Sequence, residues 1–268
     1  MALDNQHAVV GLSRGFTAGR TALITYLMAG FPDRATSLAS LRAAAAAGAD
    51  VIELGVPYGD PVADGPVIAS AAGIAREHGF GLAETISLAA EFIGGSTPDA
   101  PAPPVALMTY LNPLMRFGLA NAAEAMRAAG VSGVIVPDMP PEAALPWRDV
   151  AHGLDTVFLA APTSTQERLA VIGSASEGFV YCVSSTGVTG ERAELAPGLA
   201  ELVVRVKAAT ALPVAVGFGV STPAQAAAVG VVADGVVIGS AIVARQRDPQ
   251  TVGEFVRELA AALKTAVR

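Results

Sequence analysis

The sequence predicts a single-domain (β/α)8 barrel. Eight short apolar runs alternate with helical segments along the 268 residues. Most runs are continuously apolar rather than alternating, which is typical of parallel strands that are covered on both faces. Their starts mostly recur every 22 to 34 residues, the length of a βα unit, and eight such units match the size of this barrel.

The strands are predicted where Val, Ile, Leu and aromatic residues are concentrated. They span 22–30, 49–57, 105–110, 133–139, 155–162, 178–185, 212–219 and 234–241. The longest gap follows the second strand, which marks the loop there as an elaboration. An open doubly wound sheet is the alternative, but the first strand–helix connection, AGFPDRAT, lacks the Gly-x-Gly-x-x-Gly pattern of such folds.

The helices are predicted from Ala/Leu-rich stretches bounded by caps and glycines. They span 35–48, 65–79, 82–95, 119–130, 198–210 and 249–266, after a leading helical segment at 1–20. Another is expected to open at Pro141 and Glu142, and the helix TQERLAVIG to be capped by Thr163 or Ser164. No change in composition indicates a second domain, so residues 1–268 are predicted to form one unit.

Composition restricts the partners and the compartment. A net charge of −7 and a pI near 5.0 argue against nucleic acid or an anionic membrane surface as partner. The single Cys182 excludes an internal disulfide and favours a reducing cytoplasm. The N-terminus has no basic region before a long apolar run, so no signal peptide is expected. Asp234 and three glycines interrupt the apolar stretch 226–244, which argues against a membrane span.

Three carboxylates lie in the second strand and its loop, VIELGVPYGDPVADGP, at 51–66. Glu53 stands inside an apolar strand, where an ionised group is costly unless it is paired or used. Burial there should raise its pKa toward the working range of a general acid or base. A buried structural glutamate is the other reading of Glu53, and a loop cap is the other reading of Asp64. Asp60 fits a turn or surface position.

Glycines end the seventh and eighth strands, where barrels of this kind hold phosphate. Gly217 and Gly219 expose backbone N–H groups, and Gly239-Ser240 opens a short helix whose N-terminus is positive. Tight turns are the other reading of each pair. Glycine pairs stand at both strand ends where phosphate is expected, which favours phosphate binding. Backbone amides can hold a phosphate without Lys or Arg, which suits a chain with few cations.

The positions of the lysines and histidines argue against two kinds of catalysis. The two lysines, Lys207 and Lys264, fall in predicted helices, which argues against a Schiff base. The three histidines, His7, His78 and His152, have no metal-ligand spacing. We therefore expect neither a metal nor a cofactor in this chain, and acid–base work falls to carboxylates and tyrosines.

Several strings closely resemble the tryptophan synthase alpha subunit family. They run in order from about residue 20 to 245: LITYLMAGFPD, ELGVPYGDPVADGP, LMTYLNP, VPDMPPEA, YCVSSTGVTG and VGFGVSTPAQ…VIGSAIV. The resemblance implies a (β/α)8 barrel that cleaves indole-3-glycerol phosphate to indole and glyceraldehyde 3-phosphate in tryptophan biosynthesis. It also implies a PLP-dependent beta subunit as partner, in an alpha2beta2 heterotetramer that receives the indole.

The resemblance also implies roles for individual residues. Catalysis falls to Glu53 and Asp64, and partner contacts fall to Pro57 and Asp60. Substrate-binding positions are Tyr26, Met108, Ile135, Tyr181, Thr189 and Phe218, and phosphate-binding positions are Gly190, Gly217, Gly219, Gly239 and Ser240. Glu53 should be positioned in any state, whereas Asp64 should depend on closure of its loop. The chain departs from the family at Gly59, where many members have Ser, and at Ser185, where some have Arg.

Three alternatives remain open at this stage. A stand-alone lyase of the same family would release free indole. A different phosphate-binding barrel, such as a sugar-phosphate isomerase or epimerase, would require a metal site or another acid pair. A catalytically inactive barrel could serve only to activate a beta subunit, although the intact Glu53 and Asp64 argue against it.

Overall fold

The computed structural model describes residues 11–183, 198–217 and 219–265. The strands in these ranges are β1 (Ala22–Met28), β2 (Val51–Gly55), β3 (Val105–Met108), β4 (Gly133–Ile135), β5 (Asp155–Val157), β6 (Leu159–Ala160), β7 (Val180–Val183), β8 (Val214–Gly217) and β9 (Gly235–Ile238). They pair in parallel in the order β5-β4-β3-β2-β1-β9-β8-β7-β6. Because β5 and β6 are two parts of one strand interrupted at Phe158, the ends of this order meet. The predicted eight-stranded barrel is confirmed.

Helices surround the barrel between successive strands. They are α1 (Arg34–Ala46), α2 (Pro66–Glu77), α3 (Leu82–Gly94), α4 (Leu111–Phe117), α5 (Leu119–Ala128), α6 (Leu145–Arg148), α7 (Gln166–Ala175), α8 (Leu199–Ala209), α9 (Pro223–Gly230), α10 (Ser240–Val243) and α11 (Pro249–Thr265). A 3-10 helix, Leu12–Gly15, precedes β1, and residues 1–10 of the expected leading segment lie outside the described ranges. No helix in the described part of the chain is long and apolar enough to cross a membrane.

The barrel wall separates two layers of buried side chains. Ile24 and Phe179 belong to the layer that fills the barrel, while Ile52 and Leu54 belong to the layer between strands and helices. Burying each such large side chain contributes roughly 1.5–3 kcal/mol. Since successive side chains of a strand point to opposite faces, Ile52 and Leu54 on the outer side place Glu53 on the inner side.

Two predictions about helix starts were wrong. No helix opens at Pro141 and Glu142: the chain turns there, Ala143 N–H donates to the Pro140 carbonyl at 2.9 Å, and α6 begins at Leu145. The second proline disfavours a helical conformation at the first, so a turn forms before the helix.

The cap of α7 also differs from the prediction. Neither Thr163 nor Ser164 caps it; the Thr165 hydroxyl accepts the Arg168 N–H at 3.2 Å. The Ser164 hydroxyl instead accepts the Ala161 N–H at 3.1 Å and closes the preceding turn. Adjacent hydroxyl residues can each cap the helix or close the turn before it, and the path of the loop decides which residue does which.

Helix α4 was missed because its cap comes from a distant segment. The Leu111 N–H at its start donates to Asp138 Oδ1 at 2.9 Å, and Asp138 follows β4. A carboxylate at a helix N-terminus satisfies an otherwise unpaired N–H. Asp138 therefore has a structural role, joining the loops after β3 and β4.

Gln246 holds the end of β1 against the chain after α10. Its side chain is fully buried; Nε2 donates to the carbonyls of Met28 at 2.7 Å and Phe31 at 2.9 Å, and Oε1 accepts the Met28 N–H at 2.9 Å. The Ser40 hydroxyl adds a bond to the Gln246 carbonyl at 3.2 Å. A buried polar network, in which these groups all have hydrogen-bond partners, thus connects the end of β1 to the chain that follows α10.

Candidate active site

A cavity of about 400 Å³ opens at the C-terminal ends of the strands. Its lining includes Tyr26, Glu53, Asp64, Met108, Tyr181, Gly219, Gly239 and Ser240. These residues come from strands or loops at six different places in the chain. The fold therefore brings most of the sequence-predicted site residues to one cavity.

Glu53 is the buried acid on the wall of this cavity. Its side chain is 2 % exposed, and its register partner on β1 is Tyr26. Burial, followed by the nearby charge of Asp64, raises the Glu53 pKa to about 8. Oε2 has no hydrogen-bond partner among the described residues. A carboxyl group in this state is protonated at neutral pH and can both give and take a proton near pH 8.

Asp64 lies in the loop after β2 and faces the same cavity. Burial raises its pKa to about 6, and the Tyr110 hydroxyl, as a hydrogen-bond donor, offsets part of that effect. The same hydroxyl accepts the Ala63 N–H at 3.0 Å. Tyr110 therefore positions the loop as well as the carboxylate. Because the two acids have different pKa values, Asp64 is ionised at neutral pH while Glu53 is mostly protonated.

A second tyrosine joins the loops after β2 and β3. The rings of Tyr58 and Tyr110 lie 5.1 Å apart, and Asn112 Nδ2 donates to the Tyr58 hydroxyl at 3.0 Å. Next to it, Gly59 lies where a Cβ would come 2.9 Å from Arg76 Nη1, the mobile end of a long side chain. The family's serine at this position would thus require only a shift of Arg76.

Two tyrosine–glycine pairs shape the cavity, and sequence reasoning missed both. A Cβ at Gly55 would overlap the Tyr26 hydroxyl, and a Cβ at Gly217 would overlap the Tyr181 hydroxyl. Each glycine is the last residue of its strand and leaves room for a ring from a neighbouring strand. Gly217 therefore has a packing reason that is independent of phosphate.

The glycine-rich end of the cavity lies at β8, β9 and α10. Gly219 has φ of +85°, a conformation that favours glycine, and Gly239 precedes the first residue of α10, Ser240. Val220, Ser221 and Thr222 line the same region. This end is built mainly from backbone and small side chains, as a site for phosphate requires.

The remaining predicted positions have different surroundings. Met108 lines the cavity, and its register neighbour Ile135 belongs to the same inner layer of the core. Pro57 is buried whereas Asp60 is exposed, so of these two only Asp60 offers its side chain to a partner. Thr189, Gly190, Phe218 and the departure at Ser185 lie outside the described residues. Within the described ranges no cluster of three or more His, Cys, Asp or Glu residues could hold a metal.

The raised pKa of Glu53 makes stability depend on pH. The Glu53 carboxyl has a pKa of 4.5 in the unfolded chain and about 8 in the folded one. Its contribution to the free energy of unfolding is therefore fully present below pH 4.5 and is lost as the pH rises toward 8. We expect Glu53→Gln to become more stable than the unmodified chain across this window, by on the order of a few kcal/mol. Melting temperatures of both proteins at pH 5 and pH 9 check this, and a difference that does not grow with pH would contradict it.

Known proteins resemble the chain over nearly its whole length. A family model described as "Tryptophan synthase alpha chain" matches residues 12–267. The tryptophan synthase alpha chain of Caulobacter sp. strain K31 is 46% identical over 255 residues, covering 93% of this chain and 91% of that protein. The Streptomyces coelicolor alpha chain is 44% identical over 262 residues, covering 96% and 95%.

Solved structures agree with these relatives. Tryptophan synthase of Mycobacterium tuberculosis superposes with a TM-score of 0.83 at 42% identity, covering 91% of this chain and 93% of that one. Tryptophan synthase subunit alpha of Legionella pneumophila superposes with a TM-score of 0.82 at 33% identity, covering 91% and 93%. With the barrel and its acid-lined cavity, these matches show that the chain belongs to the tryptophan synthase alpha chain family and catalyses the cleavage of indole-3-glycerol phosphate to indole and D-glyceraldehyde 3-phosphate.

Proposed function

We propose that Glu53 is the general acid and base of this carbon–carbon lyase reaction. Retro-aldol cleavage requires protonation of indole C3 and removal of the proton from the adjacent side-chain hydroxyl. The C3–side-chain bond then breaks, its electron pair restores the indole ring, and the hydroxyl carbon becomes the aldehyde. One carboxyl group near both atoms can give the first proton and take the second. The single observation that carries this role is the burial of Glu53 on the cavity wall with a pKa of about 8.

Asp64 is proposed to stabilise the charge that develops on the ring. Protonation of C3 leaves a positive charge shared with the indole nitrogen, and an oriented carboxylate beside the N–H lowers the energy of that state. Asp64 suits this role because its pKa of about 6 keeps it ionised at neutral pH. The neighbouring Tyr110 favours the ionised form and holds the loop.

The two ends of the substrate are proposed to occupy the two ends of the cavity. The indole would pack on Tyr26, Met108 and Tyr181, with Ile135, Phe218 and Thr189 completing the pocket. Burying a ring system of this size hides roughly 150–250 Å². The phosphate would accept hydrogen bonds at Gly190, Gly217, Gly219, Gly239 and Ser240. Anchoring both ends positions the scissile bond beside Glu53.

Membership of the family implies a beta subunit as partner. We propose in addition that this partner is PLP-dependent and that the complex is an alpha2beta2 heterotetramer in the cytoplasm. The loop that carries Asp64 also carries the exposed Asp60 and the buried Pro57. A partner that contacts Asp60 would act on the position of Asp64 through the three residues between them, and Pro57 would stiffen the start of that loop.

Indole release tests both the reaction and the partner. The purified chain is incubated with indole-3-glycerol phosphate, alone and with a tryptophan synthase beta subunit, and indole is measured over time. We expect slow release by the chain alone and faster turnover with the beta subunit. Equal rates would contradict control by the partner and favour a stand-alone lyase. No indole in either case would contradict the reaction itself.

A further inference from the structure

Tyr26 brings a hydroxyl to the catalytic wall. Tyr26 on β1 and Glu53 on β2 are register partners, and both are buried and line the cavity. The ring of Tyr26 extends toward Gly55, two residues beyond Glu53, where the absence of a Cβ makes room for the hydroxyl. The phenol therefore lies beside Glu53, on the side where the strands end and the substrate enters.

Arg245 lines the cavity, but its guanidinium lies 4.0 Å over the Phe255 ring and donates to the Ala241 carbonyl, and among the described residues no cation contributes to the pKa of Glu53. The titratable groups around it are Tyr26 from β1, Asp64 from the loop after β2, Tyr181 from β7 and, next to Asp64, Tyr110. The neighbouring strand β3 contributes Ala106 and Met108, which are apolar. Ionised Glu53 would thus stand beside a second carboxylate, and among these titratable neighbours the phenols are the groups that can donate a hydrogen bond to it.

The phenol of Tyr26 is suited to donate. Burial, together with the charges of Asp64 and Glu53, raises the Tyr26 pKa well above its ordinary value, so the hydroxyl keeps its proton throughout the neutral range. Glu53 Oε2 is buried and has no hydrogen-bond partner within the described ranges. Leaving an ionised oxygen in that state is costly, and a donor on the adjacent strand relieves the cost.

We propose that the Tyr26 hydroxyl donates a hydrogen bond to the Glu53 carboxylate whenever Glu53 is ionised, and that Tyr26 is thereby a positioning residue that maintains the base. The inference rests on the proposed role of Glu53 and adds a polar function to a position expected only to contact indole. Tyr181 also lies near enough to feel the charge of Glu53, but of the two tyrosines only Tyr26 stands on a strand paired with β2, as the register partner of Glu53.

Tyr26→Phe tests the proposal, since it removes one oxygen and keeps the ring. Loss of a donor to the ionised form raises the Glu53 pKa, and the reaction begins with protonated Glu53, so the alkaline limb of the kcat–pH profile should move to higher pH by about one unit. Above both limbs kcat of Tyr26→Phe should exceed that of the unmodified chain by up to about tenfold, and well below them the two should differ little. The KM for indole-3-glycerol phosphate should stay within about twofold, because the ring still contacts the indole.

Thr25→Val is the matched control. Thr25 precedes Tyr26 on β1, carries a buried hydroxyl without a partner in the described residues, and points to the opposite face of the strand. Its substitution should leave the profile in place. An unmoved alkaline limb in Tyr26→Phe, an equal shift in both variants, or loss of activity at every pH would overturn the proposal. If Glu53→Gln is inactive while the Tyr26→Phe limb is unmoved, only this inference fails; an active Glu53→Gln would remove the proposed function itself.

Discussion

Glu53→Gln is expected to fold normally and to lose cleavage of indole-3-glycerol phosphate by about 10³-fold or more, at the upper part of the range for acid–base groups. Glutamine has the same shape but can neither release a proton to indole C3 nor take one from the substrate hydroxyl. Folding should survive because Glu53, with a pKa of about 8, is already mostly neutral at pH 7. Substrate analogues should still bind, since the indole pocket and the phosphate end are unchanged.

Indole release and thermal unfolding are the measurements for this prediction. Glu124→Gln is the matched control, because Glu124 is exposed on α5, outside the cavity, and its loss should change neither quantity. Turnover of Glu53→Gln within a few-fold of the unmodified chain would rule out Glu53 as the acid and base. Loss of folding together with activity would point instead to a structural carboxyl.

Asp64→Asn should lower kcat by about 10²-fold while the KM changes by less than about threefold. Asparagine keeps the size of the side chain but removes the negative charge that the transition state requires. Because the charge on the ring develops only as C3 is protonated, the bound substrate gains little from Asp64. The contact with Tyr110 can persist, since an amide oxygen also accepts a hydrogen bond.

Steady-state kinetics of the chain, alone and with a beta subunit, check this second prediction. Asp99→Asn removes a carboxylate from an exposed loop and should leave both parameters unchanged. Equal loss in kcat/KM and in substrate affinity would assign Asp64 a binding role only. An unchanged kcat would exclude any role in stabilising the transition state.

Sequence reasoning was accurate where a pattern repeats locally. The apolar runs predicted eight parallel strands, and the strands in the described ranges keep the predicted order and are two to four residues shorter than the predicted runs. It failed where neighbouring residues compete for the same duty, as at the cap of α7, where Thr165 prevails over Ser164. It also failed at α4, since its N-terminal partner, Asp138, lies 27 residues away.

The residues of the site also divide into those whose placement a local pattern predicts and those whose placement depends on distant contacts. That Glu53 points into the barrel follows from its apolar neighbours Ile52 and Leu54, because adjacent side chains of a strand face opposite sides. The pairing of Asp64 with Tyr110 could not be derived in this way. It depends on how a loop folds over the end of another strand, and loops lack the regular hydrophobic pattern from which strands and helices are predicted.

By itself, the sequence determined the barrel, the inward direction of Glu53, the glycine-rich strand ends and the family. Each of these follows from residues that are close together in the sequence, either from a repeating period or from a continuous motif. Only the tertiary structure decided that Gly55 and Gly217 make room for Tyr26 and Tyr181, and that Gln246 ties the end of β1 to the chain after α10. Those contacts join residues from different strands and loops, so their geometry exists only once the barrel has closed.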